Sequence, residues 1–249
     1  VRLTLGLDLG GSSIKAGAVD VVAGRVVGEL KSVPTPDGAR PAATQAALEA
    51  LVAQFPECSG PVGLAFPAVV KDGVALSAAN IDKAWIGTNA SELLSAAAKR
   101  PGHVVNDADA AGVAEMRIGA GRDRRGVVMM LTFGTGIGTA LFADGRLWPN
   151  SELGHLELDG KEAEQIASAR VRTAEGLDWP AWCARVNRVL AGYHALFWPD
   201  LFIIGGGVSE RWEEFGSQLR SAAQILPASL RQTAGVVGAA FYAAEQPGR

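Results

Sequence analysis

Apolar positions along the chain change period several times, and each change marks an element. Leu3 to Leu9 is a short apolar run ending in Asp8-Leu9-Gly10-Gly11-Ser12-Ser13; Ile14–Val19 and Arg25–Val33 resume as strands. The chain therefore opens as an antiparallel meander around a glycine turn. After a loop containing Pro34, Pro36, Gly38 and Pro41, the residues Ala47, Leu48, Leu51, Val52 and Phe55 recur at helical spacing and predict a helix over 42–55. Pro61–Phe66 reads as a buried strand, and Lys71-Asp72-Gly73 as a hairpin turn. Residues 77–90 form a polar stretch broken only by Ile81 and Trp85-Ile86, and an aperiodic loop of that length points to function. A short helix over Ser91–Lys99 and a strand over Gly102–Val105 lead into Asn106-Asp107; the next helix runs to Ile118 and stops at Gly119-Ala120-Gly121. Strands on either side flank Phe133-Gly134-Thr135-Gly136-Ile137-Gly138. Lys161–Ala169 reads as a helix. Trp182, Val186, Val189, Leu190, Tyr193, Leu196 and Phe197 form one apolar stripe of a longer helix, taken as core. Leu201–Ile204 is a fully apolar strand running into Gly205-Gly206-Gly207, and the last helix begins near Ala234.

One stretch echoes another. Leu5 to Lys15 and Leu131 to Thr139 are both strand, Gly and Ser/Thr turn, strand. Similar hairpins opening each half of a chain predict two related α/β domains facing each other across a central cleft: residues 1–105, completed by a C-terminal helix over 234–249, and residues 106–233.

Composition narrows what such a chain can do. With 249 residues and 48% hydrophobic content, a sizeable core is available. The formal net charge of −3 lacks the basic face of a nucleic-acid binder, so nucleic acid is not an expected partner. Cys58 and Cys183 are far apart and read as reduced thiols. No apolar run reaches the length of a membrane span, and Val1-Arg2-Leu3 leads straight into a strand without a signal-peptide pattern. A cytoplasmic protein with no membrane association is the expectation.

The candidate chemistry lies in the turns. Gly with Ser or Thr in a tight turn exposes successive backbone N–H groups to an anion. Gly10, Gly11, Ser12 and Ser13 form one such turn; Thr132, Gly134, Thr135 and Gly136 form a second; Gly205 and Gly206 supply a third. The first two lead into strands and not into a helix, which excludes the dinucleotide fingerprint. Asp8 at the end of the first strand is placed for Mg²⁺, directly or through water, with turn capping as its other use; Lys15 could neutralise a phosphate. Phosphoryl transfer to a hydroxyl needs a carboxylate to take the proton, a role that fits Asp107, although Asp107 or Asn106 could simply cap the helix. Asn80, Asn106, Glu152, His155 and Glu164 together suit a polyol, although each alone has an ordinary structural use.

Asp8-Leu9-Gly10-Gly11-Ser12-Ser13-Ile14-Lys15, Asn106-Asp107-Ala108-Asp109-Ala110-Ala111-Gly112, Thr132 to Gly138 and Glu152-Leu153-Gly154-His155 occur in the order in which they resemble the ROK family (repressor, open reading frame, kinase) of sugar kinases. Asn80 to Asn89 and Gly160 to Glu164 are similar, more narrowly, to polyphosphate-using glucose kinases of that family. The resemblance implies a two-domain actin-like (ribonuclease H-like) sugar kinase fold and a homodimer. It implies Asp107 as the base on the sugar 6-hydroxyl, and Asn80, Asn106, Asp107, Glu152, His155 and Glu164 as glucose contacts. The glycine turns would hold inorganic polyphosphate or a nucleoside triphosphate (ATP or GTP), with Mg²⁺. Two departures stand out. The family's zinc site needs a cysteine cluster after Glu-x-Gly-His, and Leu156 to Glu164 has none, so no zinc site is expected and His155 should serve the sugar alone. Pro67-Ala68-Val69 stands where the family has Pro-Gly, which bears on sugar selectivity. Rival classes are an ATP-dependent kinase of another hexose or amino sugar, a sugar-sensing regulator, for which a DNA-binding module before the first strand would be needed, and a silent sugar binder.

Overall fold

The computed structural model describes residues 3–246. The expected strand entry at Val1-Arg2 and the last three positions of the expected C-terminal helix lie outside the described residues. The chain divides into two compact units. One takes the chain up to Ala114 and again from Thr233; the other is Glu115–Gln232. The division falls inside a helix, later than the sequence-based boundary at 105/106.

In the first unit, strands β1 (Thr4–Leu9), β2 (Ser13–Asp20) and β3 (Arg25–Pro34) form the expected meander. Helix α1 (Pro41–Val52) begins with Pro at N1, where its missing N–H costs nothing. Next come β4 (Val62–Phe66), then the small hairpin β5 (Val70–Lys71) and β6 (Val74–Ala75). Asp72 and Gly73 turn that hairpin with φ of 52° and 81°, the pair of positive values a two-residue turn demands. Helix α2 (Ala90–Ala98) is capped by Asn89, whose Oδ1 accepts the Glu92 N–H at 3.0 Å. Strand β7 (Gly102–Asn106) runs directly into α3 (Asp107–Ile118).

The second unit contains β8 (Val127–Phe133), β9 (Ile137–Ala143) and β10 (Arg146–Trp148), then the short hairpin β11 (Glu157–Leu158) and β12 (Lys161–Glu162). Helices α4 (Ala163–Ala167), α5 (Ala169–Ala174) and α6 (Trp179–Phe197) follow. Strand β13 (Leu201–Gly205), the single turn α7 (Trp212–Phe215) and β14 (Gln224–Pro227) complete it. The chain then re-enters the first unit as α8 (Ala234–Glu245).

The two sheets repeat one plan. Their orders are β3-β2-β1-β4-β7 and β10-β9-β8-β13-β14. In each, a three-stranded antiparallel meander is extended by parallel strands. Central strands such as β4 and β13 are buried at every position, as strands covered on both faces must be. The edge strand β3 is largely exposed and carries Arg25, Glu29 and Lys31, charges that discourage edge-to-edge pairing. Helix α8 lies on β1 and β4 at backbone distance: a Cβ on Gly6 or on Gly63 would overlap the carbonyl oxygen of Val236 or of Ala239. The small-residue sequence AGVVGAAFYAAE permits this approach, and eight of its residues are buried.

Two sequence expectations need correction. The helix expected over Lys161–Ala169 is a strand residue pair followed by two short helices. They break at Ser168, which leaves helical geometry (ψ 160°) and caps α5 through the Val171 N–H. The apolar stripe of α6 is core as far as Tyr193, but Leu196 is 60% exposed. Both thiols are buried and unpaired, and burial pushes each up to about 11, which keeps them protonated and unreactive. Among the described residues, no helix is long and apolar enough to cross a membrane.

Candidate active site

In the first unit, the chemistry collects at one end of the parallel strands. Asp8 of β1 pairs with Ala65 of β4, and Asn106 of β7 pairs with Phe66 of β4. The two side chains thus lie at the C-terminal edge of adjacent-but-one parallel strands, where open α/β sheets place ligands. Asp8 is opposite Lys15 across the β1–β2 hairpin. Within that turn the Gly10 N–H closes on Ser13 O at 3.1 Å, and Thr35 Oγ1 donates to Gly10 O at 2.6 Å, so Gly10–Ser13 is held from outside by β3's end. The Asp8 carboxyl abuts the first turn of α8: a Cβ on Gly235 would come within 2.7 Å of Asp8 Cγ. Burial pushes this carboxyl above its ordinary range, against the lowering effect of Lys15.

The β7–α3 junction separates two roles. Asn106 is the cap: its Oδ1 accepts the N–H groups of Ala108 at 2.9 Å and Asp109 at 3.2 Å, while its Nδ2 donates to Ala68 O at 3.2 Å. Asn106 is buried, whereas Asp107 is exposed in the first turn of α3. One carboxylate oxygen of Asp107 accepts the Ala108 N–H at 2.8 Å, which fixes the side chain at the positive end of the helix. Asn106 and Asp107 thus share the Ala108 N–H, and Asn106 alone adds that of Asp109 among the bonds described. Its amide also grips the Pro67-Ala68-Val69 segment through the Ala68 carbonyl. Asn80 occupies an exposed bend. Its loop is anchored beyond it by Trp85, fully buried, whose Nε1–H donates to Ala39 O at 2.6 Å and whose ring lies 4.7 Å from Phe66, and by the Arg40–Asp82 pair at 3.2 Å.

The second unit repeats the arrangement. Thr132 of β8 pairs with Gly205 of β13, again at the C-terminal edge of parallel strands. Gly206 follows with φ 80° and packs so closely on Phe133 that a Cβ would strike its backbone. The Gly134-Thr135-Gly136 turn is thereby brought beside Gly205-Gly206. One of its amides and the first of β9 are already used: the Gly134 N–H closes on Gly136 O at 3.0 Å, and the Ile137 N–H reaches Glu164 Oε2 at 3.4 Å. Arg170 N–H donates to Gly134 O at 3.1 Å and ties α5 to the turn. Glu164 lies so close that a Cβ on Gly136 would overlap its carboxylate.

Glu152, His155 and Glu164 are brought together around the short turn Leu153–His155. Sequence reasoning missed the residues that hold this strap. Thr139 of β9 donates its hydroxyl to Ser151 O and accepts the Leu153 N–H at 3.1 Å, and Tyr193 donates to Leu153 O at 2.8 Å. Burial pushes the Glu152 carboxyl up; His155 opposes this and Glu164 reinforces it. His155 Nδ1 lies 3.4 Å from Glu162 Oε2. Glu162 in turn forms a capping box at α4 with Gln165, whose side chain accepts the Glu162 N–H at 3.3 Å. Glu162 lay within the Gly160–Glu164 stretch singled out by resemblance, and its Glu-x-x-Gln spacing was the local signal for the capping box. Among the described residues, His155, Glu162 and Glu164 are a group whose possible ligand atoms lie within 4.8 Å of one another.

A duplicated sheet plan, with a glycine turn after the first strand of each meander, defines an α/β protein of the actin-like, ribonuclease H-like fold. A model of the ROK family matches residues 4–174, and the chain belongs to the ROK family. It is 45% identical over 241 residues to a polyphosphate glucokinase of Mycobacterium tuberculosis, spanning 96% of this chain and 91% of that one. It superposes with a TM-score of 0.93 on the crystal structure of an inorganic polyphosphate/ATP-glucomannokinase from Arthrobacter sp. strain KM, at 46% identity and 99% and 100% coverage. The ROK family glucokinase of Streptomyces griseus, solved with glucose and AMPPNP, gives a TM-score of 0.81 at 26% identity, with 98% and 100% covered.

Proposed function

We propose that this protein transfers the terminal phosphoryl group of inorganic polyphosphate to the 6-hydroxyl of glucose, giving glucose 6-phosphate. The observation that carries it is the β7–α3 junction: Asn106 caps the helix through the Ala108 and Asp109 N–H groups, and the exposed carboxylate of Asp107 stands beside it in the first turn, oriented by the Ala108 N–H. As the O6–P bond forms, the O6 proton passes to Asp107 and the P–O bond to the remaining polyphosphate breaks. Asn80, Asn106, Glu152, His155 and Glu164 orient the sugar through its other hydroxyls. Gly10, Gly11, Ser12, Ser13 and Lys15, with Thr132, Gly134, Thr135, Gly136, Gly205 and Gly206, hold the donor phosphates.

Asp8 suits a hard divalent cation. Its carboxylate is a hard oxygen ligand beside the Gly10–Ser13 turn, and only a glycine at 235 lets α8 pack this closely against it. Mg²⁺ held there would neutralise donor charge; Lys15, opposite Asp8 in the hairpin, supplies a second positive charge. A nucleoside triphosphate is the second reading for the donor, favoured by the Arthrobacter relative's naming for both polyphosphate and ATP. That relative is also named for mannose as well as glucose, so mannose is the second acceptor to try. A homodimer is the proposed assembly, to be read by light scattering.

The test is product formation followed by ³¹P NMR, with glucose, Mg²⁺ and each donor in turn. Glucose 6-phosphate is expected with polyphosphate. No product with polyphosphate, ATP or GTP would overturn the proposal, and product only with ATP would move it to the second reading.

A further inference from the structure

We propose that Glu162 is a positioning residue for His155: its carboxylate accepts the Nδ1–H and holds the ring in the tautomer whose Nε2 lone pair can accept a sugar hydroxyl. This rests on the assignment of His155 to the sugar. Three observations carry it. First, Oε2 of Glu162 is 3.4 Å from Nδ1 of His155, so the contact is made to one ring nitrogen and leaves the other for ligand. In neutral histidine one nitrogen donates and the other accepts, and the partner of one decides the state of the other. Second, Glu162 is itself fixed. It ends β12, faces Glu157 across the β11–β12 hairpin, and enters the capping box of α4 with Gln165. A carboxylate anchored at a strand end and a helix start orients a ring better than one on a free loop. Third, His155 ends a short turn whose preceding residues are tied down by Thr139 and Tyr193, so the ring's backbone is fixed while its side chain is 54% exposed. A ring so exposed needs a partner to select one tautomer.

The chemistry gives Glu162 a purpose that the Glu-x-Gly-His motif alone lacks. Glu152 and Glu164 can only accept hydrogen bonds from sugar hydroxyls. With Nδ1–H engaged, His155 becomes a third acceptor beside them; with the tautomer reversed, it would be a donor. Glu162 thereby determines which hydroxyl pattern the site accepts, and it acts through His155 without touching sugar.

The protein has three histidines, His103, His155 and His194, so ¹H–¹⁵N correlation of the imidazoles resolves His155 directly. Spectra are taken at about pH 8, above the ordinary histidine range. The wild type is expected to show the Nδ1–H tautomer at His155. Glu162→Ala should shift it towards Nε2–H, the form an unsupported imidazole prefers, and raise glucose KM by about 3–10-fold with little change in kcat, the scale of one hydrogen bond. Glu162→Gln keeps an acceptor oxygen and should restore both the tautomer and most of the affinity. Gln165→Ala breaks the capping box from the other side while keeping the Glu162 carboxylate; it controls for helix stability, and its effect on the His155 tautomer should be smaller than that of Glu162→Ala. An identical tautomer in wild type and Glu162→Ala overturns the proposal. So does a stoichiometric bound metal whose removal by chelator, and not the Glu162 substitution, changes the His155 signals. The tautomer is read without substrate, so failure of glucose phosphorylation would overturn the proposed function while leaving this result to stand or fall separately.

Discussion

Asp107 is one peptide bond from the residue that caps its helix, and that step divides structure from chemistry. Sequence alone left capping open to either member of the pair, because Asn and Asp both favour helix starts. Which of them turns inward depends on the Ala68 carbonyl arriving from β4's far end, a tertiary contact with no local signature. Asn106→Ala should therefore cost about 1–2 kcal/mol as a lost cap and also loosen Ala68, lowering the melting temperature. An unchanged melting temperature would show that the cap is not used. Glu152 supports a second residue-scale expectation, now with a pH dependence. Its carboxyl is raised by burial, so the folded chain binds that proton more tightly than the unfolded chain does. The sign follows: the stabilising contribution is full below the ordinary carboxylate range and is lost as pH rises through the folded-state value. At neutral pH Glu152 then opposes folding. Glu152→Gln should raise the melting temperature slightly at pH 7, lose that advantage towards about pH 4, and weaken glucose binding. A variant less stable at pH 7 with unaltered glucose affinity would contradict both halves.

At the scale of elements, the strap Ser151–His155 depends on its neighbours. Thr139 satisfies the Leu153 N–H and the Ser151 carbonyl from within β9 and is itself buried. Thr139→Val preserves shape and removes both bonds, so a loss of about 1–3 kcal/mol is expected, together with a higher glucose KM as Glu152 and His155 lose their frame. Denaturant melts and steady-state kinetics read the two effects; a stable variant with raised KM would place Thr139 in contact with sugar instead. Gly136 tests the hairpin turn. Gly136→Ala would drive a methyl into the Glu164 carboxylate, so glucose affinity should fall even though the turn was assigned to phosphate. What was legible here and what was not follows the range of the forces. The β1–β2 and β8–β9 hairpins were readable because glycine turns between apolar runs are local signals. The break at Ser168 was missed because a serine that caps a new helix looks, in a helical pattern, like an ordinary polar position. Strand β14 was missed because Gln224-Ile225-Leu226-Pro227 starts polar and ends in proline, and only its place at a sheet edge makes it a strand.

For the whole molecule, the repeated sheet order turns a sequence echo into a plan: one meander with parallel additions, built twice, with a glycine turn in each meander. The duplication could be read from two hairpins because they are its most local part. The chain returns to the first sheet as α8, and the division at Ala114/Glu115 falls inside α3, where the sequence carries no compositional break. Each unit's core is a cluster of apolar side chains. Chelation should therefore abolish phosphoryl transfer while leaving the melting temperature unchanged, and Mg²⁺ alone should restore turnover. A fall in melting temperature on chelation would point to a structural ion, with His155, Glu162 and Glu164 the first place to look.

The central claim is that Asp107 takes the proton from the glucose hydroxyl during phosphoryl transfer. The most direct measurement is the turnover of Asp107→Asn with polyphosphate and glucose, paired with calorimetric glucose binding to the same protein. General-base catalysis is worth about 10²–10⁴-fold, so kcat should drop by at least that much while the glucose Kd stays close to that of the wild type. Turnover within a few-fold of wild type, with binding intact, would contradict the account and return Asp107 to the role of a helix cap.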